Sequence, residues 1–161
     1  MRSLCVLSCT ILGVLLPGLI SCGGTKVKAA VPGSQGRAAQ KFSMQVVVDE
    51  SANQNSPIAM DLVTITDKKV VADIGKLTAK DWFERRTQVL RDTQGKVSVA
   101  SFEWVPGQHV DRITVAIASK TRVAYVFANY INGGSHRALI DVKQPVVINL
   151  RAEDFALQSL R

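Results

Sequence analysis

Cysteine is missing from most of this chain. Three are present, Cys5, Cys9 and Cys22, and all fall within the first 22 residues. Residues 23–161 can therefore form no disulfide, thiolate metal site or cysteine nucleophile among themselves. In an oxidising compartment such a segment is held by its core alone. Histidine is almost as scarce, with only His109 and His136, each beside a turn-forming sequence. Ser135, His136 and Asp141 contain the residue types of a hydrolase triad. However, adjacent residues on a strand point to opposite faces, and no Gly-x-Ser-x-Gly elbow is present. Aromatic residues make up 6% of the chain and fall mostly at core parity, which argues against a base-stacking platform for nucleic acid. The acidic pairs Asp49-Glu50 and Glu153-Asp154 lack the alternating oxygen ligands of a calcium loop. Gly133-Gly134 has no strand-to-helix context for binding phosphate. These features predict a non-enzyme with no metal, cofactor, small-molecule substrate or nucleic-acid partner.

Basic residues outnumber acidic ones by 20 to 13, giving a net charge of +7, yet no run of five like charges occurs. Scattered charge of this kind reads as a solvated surface, or as a face toward anionic lipid or an acidic partner. The chain is 47% hydrophobic, enough for one packed domain.

The organising stretch is Leu19-Ile20-Ser21-Cys22, which closes an apolar run starting near Leu4. A leucine three places before a cysteine, with a small residue between it and the thiol, is the pattern of a bacterial lipoprotein signal. Residues 1–21 are then the signal peptide and Cys22 the lipidated first residue of the mature chain. An ordinary secretory signal and an uncleaved membrane helix are the competing readings. Each buried methylene of an acyl chain contributes about 0.8 kcal/mol, so a multiply acylated cysteine anchors stably. Gly23, rather than aspartate, follows the cysteine, which favours the outer membrane, facing the periplasm. Residues 22–40 read as a flexible tether with a root-mean-square span of about 20–25 Å.

Beyond the tether, residues 41–161 alternate with period two in many short runs. Phe42, Met44, Val46 and Val48 mark one strand, and Ile58, Met60 and Leu62 mark a second that continues to Ile65. Later strands are marked by Val97–Trp104, Ile113–Ile117, Val123–Phe127, Leu139–Val142 and Val146–Leu150. The tail with Phe155 and Leu157 fits either a strand or a helical turn. Residues 67–92 change to helical spacing. Thr78 and Asp81 stand in capping-box positions, and Trp82 and Phe83 are placed to pack a helix over a sheet end. About seven strands with short turns and one helical insertion predict a mainly β fold, a two-sheet antiparallel sandwich. The nine-residue polar segment Asp49–Pro57 is long for a link between strands, and reads as either a solvated connection or a functional loop.

Several stretches, in this order, resemble the TssJ family of outer-membrane lipoproteins of the type VI secretion system. They are Cys22, Ser56-Pro57-Ile58-Ala59-Met60-Asp61-Leu62, Leu77-Thr78-Ala79-Lys80-Asp81-Trp82-Phe83, Val105-Pro106-Gly107-Gln108 and Tyr125-Val126-Phe127-Ala128-Asn129-Tyr130. The sequence departs from the family at Asn132-Gly133-Gly134-Ser135, where acidic residues are usual, and in its more basic helical segment. The resemblance implies a transthyretin-like sandwich, lipid-anchored in the outer membrane and facing the periplasm. Its partner would be the periplasmic region of a TssM-type inner-membrane protein, bound by the loop between the first two strands. Here that is the segment with Ala52, Asn53, Gln54 and Asn55 at its tip. The alternative is another periplasmic lipoprotein module, pilotin-like or inhibitor-like, with a different envelope partner.

Overall fold

The computed structural model describes residues 39–159, so the predicted signal peptide, Cys22 and most of the tether lie outside the described residues. Eight strands form two four-stranded sheets. One sheet has the order β4 (Ile113–Ala118), β1 (Ala39–Val48), β7 (Val146–Leu150), β8 (Phe155–Ser159). The other has the order β3 (Val97–Trp104), β2 (Ile58–Ile65), β5 (Val123–Asn129), β6 (Arg137–Ile140). The two-sheet sandwich with a helical insertion is the architecture the sequence predicts. All pairings are antiparallel except β1 with β7, where Met44–Val48 run parallel to Val146–Leu150. The C-terminal segment resolves as strand β8, which pairs with β7 from Val146↔Ser159 to Leu150↔Phe155 and raises the count from seven strands to eight.

Alternation places the side chains as expected on β1, where Phe42, Met44, Val46 and Val48 are all buried. These pack between the sheets with Ile58, Met60, Leu62, Val126, Ile148 and Leu150. The second sheet is covered on its other face too. Helices α1 (Lys68–Ile74) and α2 (Ala79–Thr93) lie there, over Val63, Ile65, Val97 and Phe127. Strand β2 is thus buried on both faces, which is why its hydrophobic run is nearly continuous rather than alternating.

The insertion forms where local signals are strongest. The Thr78 hydroxyl accepts from the Asp81 amide at 3.1 Å, and the Asp81 carboxylate accepts from the Thr78 amide at 3.1 Å, closing a capping box. Asp67 caps α1 by accepting from the Lys69 amide at 2.9 Å. Trp82 is fully buried, but over the face of the sheet rather than at its end, contrary to the sequence expectation. Its ring stacks on Phe127 at 5.2 Å, and its indole N–H donates to Asp61 Oδ2 at 2.9 Å. Asp61 points to the helical face of β2, so an indole with a polar tip finds its partner mid-sheet. Arg86 donates to the same oxygen at 2.9 Å. Gly75, between the helices, lets the backbone approach the Tyr125 hydroxyl, since a Cβ there would meet that oxygen at 2.8 Å.

Trp82→Ala should lower stability by about 3–5 kcal/mol through lost packing. Trp82→Phe should cost about 1–3 kcal/mol, chiefly the indole bond to Asp61. Urea midpoints for both variants check this, and equal midpoints for wild type and Trp82→Ala would remove the role given to the indole. The Asp81 carboxyl is held below its ordinary 3.8, first by the Thr78 hydroxyl and then by the Thr78 amide. The Asp67 carboxyl is lowered from 3.8 first by the Lys69 amide and then by Lys96. A depressed carboxyl stabilises fully above its unfolded value and loses that contribution as pH falls through the folded one. Helical circular dichroism should therefore decline below pH 3.8 earlier in wild type than the sheet signal does.

Candidate functional site

The loop between β1 and β2 is built around a turn that ordinary L-residues avoid. Asn53, Gln54 and Asn55 all have positive φ, at 48°, 55° and 61°. Left-handed backbone costs about 1–2 kcal/mol per non-glycine residue, least for asparagine. Such a turn persists only where its surroundings over-determine it.

Asn53 supplies that determination. It is 1% exposed, and every polar group it carries is used. Its amide donates to the Arg151 carbonyl at 3.0 Å, and its carbonyl accepts from the Ser56 amide at 3.1 Å. Its Oδ1 accepts from the Ile131 amide at 2.7 Å, and its Nδ2 donates to the Pro57 carbonyl at 3.0 Å. One side chain therefore ties the β1–β2 loop to the β5–β6 hairpin, and its backbone ties the same loop to the β7–β8 turn. Of the four loop residues singled out in the sequence, Ala52 and Asn53 face inward and are buried, whereas Gln54 and Asn55 are exposed. Of these four, only Gln54 and Asn55 turn their side chains outward.

Neighbouring turns are fastened to the same end. The Gly107 amide donates to the Asp49 carbonyl at 3.2 Å, bringing the β3–β4 turn alongside. Asn132 Nδ2 donates to the Glu153 carbonyl at 3.0 Å. His136, expected as a surface turn residue, is instead buried. Its ring stacks on Tyr130 at 4.8 Å, with Nδ1 2.9 Å from Asp154 Oδ1 and Nε2 3.1 Å from the Asn132 carbonyl. Both partners are acceptors, so a neutral ring donates to one and a protonated ring to both. Gly134 leaves room for the ring, because a Cβ there would meet Nε2 at 2.5 Å. Burial pushes the Tyr130 hydroxyl up to about 12, and its oxygen accepts from the Arg151 amide at 3.2 Å. A cleft of about 660 Å³ runs between this hairpin and the first turn of α2.

The arrangement is one of locked loops rather than reacting groups. His136 pairs with Asp154, not Asp141, so the Ser135-His136-Asp141 set is not assembled. Among the described residues no three His, Cys, Asp or Glu side chains cluster as metal ligands. No helix among them is long and apolar enough to cross a membrane. The sequence reading missed Asn53 as a buried knot, although the Asn-Gln-Asn run is the type that tolerates left-handed backbone. It had no signal for His136 with Asp154, which are 18 residues apart and meet only through sheet pairing.

Asn53→Ala should lower stability by about 2–4 kcal/mol, combining an unmet buried amide with a left-handed backbone that alanine disfavours. Asn53→Gly should recover the backbone part but not the hydrogen bonds. Denaturant midpoints separate the two contributions, and an Asn53→Ala protein as stable as wild type would contradict the role given to this side chain.

No family model matches the sequence, and no curated protein matches it. The fold is similar to that of several solved structures. The type VI secretion lipoprotein TssJ1 from Pseudomonas aeruginosa is 17% identical, with a TM-score of 0.63, over 77% of this chain and 98% of that one. Lip from Serratia marcescens, a membrane-bound component of the type VI secretion system, is 17% identical with a TM-score of 0.57 over the same shares. A chain in the structure of the TssM C-terminal domain from EAEC is 11% identical, with a TM-score of 0.51, over 76% of this chain and 98% of that one. The chain is therefore TssJ-like in fold.

Proposed function

We propose that this chain is a non-catalytic lipoprotein of a type VI secretion system. On this reading it holds a trans-envelope complex to the outer membrane by binding the periplasmic domain of a TssM-type inner-membrane protein. The observation that carries the reading is a sandwich with its helical insertion that matches TssJ1 over 98% of that protein's length. The lipoprotein signal ending at Cys22 supports the lipid anchor, and the likeness to a chain in a TssM structure supports the partner.

The layout suits a tether. Among the described residues β1 starts at Ala39, and the β1–β2 loop leaves from Val48, at the other end of the same ten-residue strand. At about 3.3 Å per residue these ends are roughly 30 Å apart. A lipid-side entry and a partner-side loop then lie at opposite ends, and the exposed Gln54 and Asn55 lead the far one.

The test is retention from detergent-solubilised envelopes on the tagged mature protein. A TssM-type inner-membrane protein should be retained. Replacing Gln54 and Asn55 together by glycine, which keeps positive φ available, should weaken retention about tenfold or more. Cys22→Ser should abolish labelling by radioactive palmitate and release the protein from membranes. If Cys22 is labelled but no such partner is retained, the secretion-system reading fails and a pilotin-like or inhibitor-like role takes its place.

A further inference from the structure

Four large hydrophobic side chains are exposed among the described residues: Val47, Val105, Ile131 and Leu139. Taken singly, exposed aliphatic residues need no explanation. Two of these, however, are placed by the sheet on either side of the left-handed turn. Val105 follows Trp104, which pairs with Ile58 on one flank of β2. Ile131 lies two residues beyond Asn129, which pairs with Ala59 on the other flank. Strands two places apart in a sheet lie about 10 Å apart, so the strand ends that lead to Val105 and Ile131 flank the start of β2, where the loop joins it, at that spacing.

Both sit on backbone that is already fixed. The Ile131 amide is held by Asn53 Oδ1 at 2.7 Å, and the Val105 amide by Gln108 Oε1 at 3.1 Å. Ile131 and Val105 are nonetheless 62% and 54% exposed. A residue whose backbone is held while its side chain is still solvated can be buried by a partner at little further backbone ordering cost.

Charge gives the partner's sign. The loops around the tip carry the exposed Asp49, Glu50, Glu153 and Asp154 against Arg151 alone, in a chain whose net charge is +7. Asp111 with Arg112, further along the β3–β4 connection, and Lys80 with Glu84 on the near turn of α2 cancel in pairs. This end is therefore acidic on a basic protein, which favours a basic face and disfavours an anionic membrane.

Resting on the function proposed above, we propose that Val105 and Ile131 are the two apolar anchors of the partner contact. They flank Gln54 and Asn55 and seat in apolar sockets on a basic surface of the partner's periplasmic domain. Interfaces of this kind draw most of their affinity from a few fixed apolar side chains within a polar rim, while the rim charges set the encounter rate.

The test is titration of the TssM-type periplasmic domain from the same organism into the mature protein, at low and at high salt. Val105→Ser and Ile131→Ser should each weaken binding about tenfold, whereas Leu139→Ser, on β6 away from this end, should leave it unchanged. Glu50→Lys with Glu153→Lys should slow association and flatten its salt dependence. Thermal unfolding of each variant controls for folding. If the domain binds wild type and both serine variants equally, the anchors are wrong while the functional reading stands. If wild type does not bind at all, that reading falls and this inference with it. If wild type self-associates and Ile131→Ser abolishes the self-association, the occupant is a second copy, and the partner assignment is overturned.

Discussion

Asn53 Oδ1 accepts the Ile131 amide while the Asn53 amide donates to Arg151, so three segments remote in sequence meet on one residue. A buried asparagine with all its polar groups matched is stable in place and costly to disturb. The energy stored in three successive left-handed residues is offset by that matching. The outcome is a loop tip that does not need to be ordered when something binds it. The neighbouring ties, Gly107 to Asp49 and His136 to Asp154, extend the same fixation across the whole end of the sandwich.

The opposite requirement governs the second sheet. Its outer face is apolar and would be exposed in a bare sandwich, and the helical insertion covers it. Asp61 is the polar exception in that layer, fully buried, with Oδ2 shared by Trp82 and Arg86. A carboxylate in such a place is a weak source of net stability, because its desolvation opposes its pairing. Its effect is positional, since it fixes where along β2 the α2 helix sits. That position in turn sets the cleft between the start of α2 and the β5–β6 hairpin.

These two layers explain how a domain with no cysteine keeps long polar loops in fixed shapes. The core between the sheets supplies the cohesion, and the second layer removes the exposed apolar face. The loops are then held by hydrogen bonds rather than by disulfides. Functionally, this gives one rigid end and one end that receives the incoming chain, on the two sides of a single strand.

Local patterning determined much of this protein. Period-two alternation set β1 and β5, a near-continuous apolar run set β2, and helical spacing with Thr78 and Asp81 set the insertion. Each of these is a property of neighbouring residues, so each is written in the sequence. Tertiary structure alone decided the parallel pairing of β1 with β7 and the strand identity of the C-terminal segment, because both depend on which edge is free. It also decided that Ala52 and Asn53 turn inward while Gln54 and Asn55 remain outside. A polar loop residue has no periodicity to betray its direction. Only the arrival of Ile131 and Arg151, some 78 and 98 residues later, gives Asn53 the partners that make burial favourable.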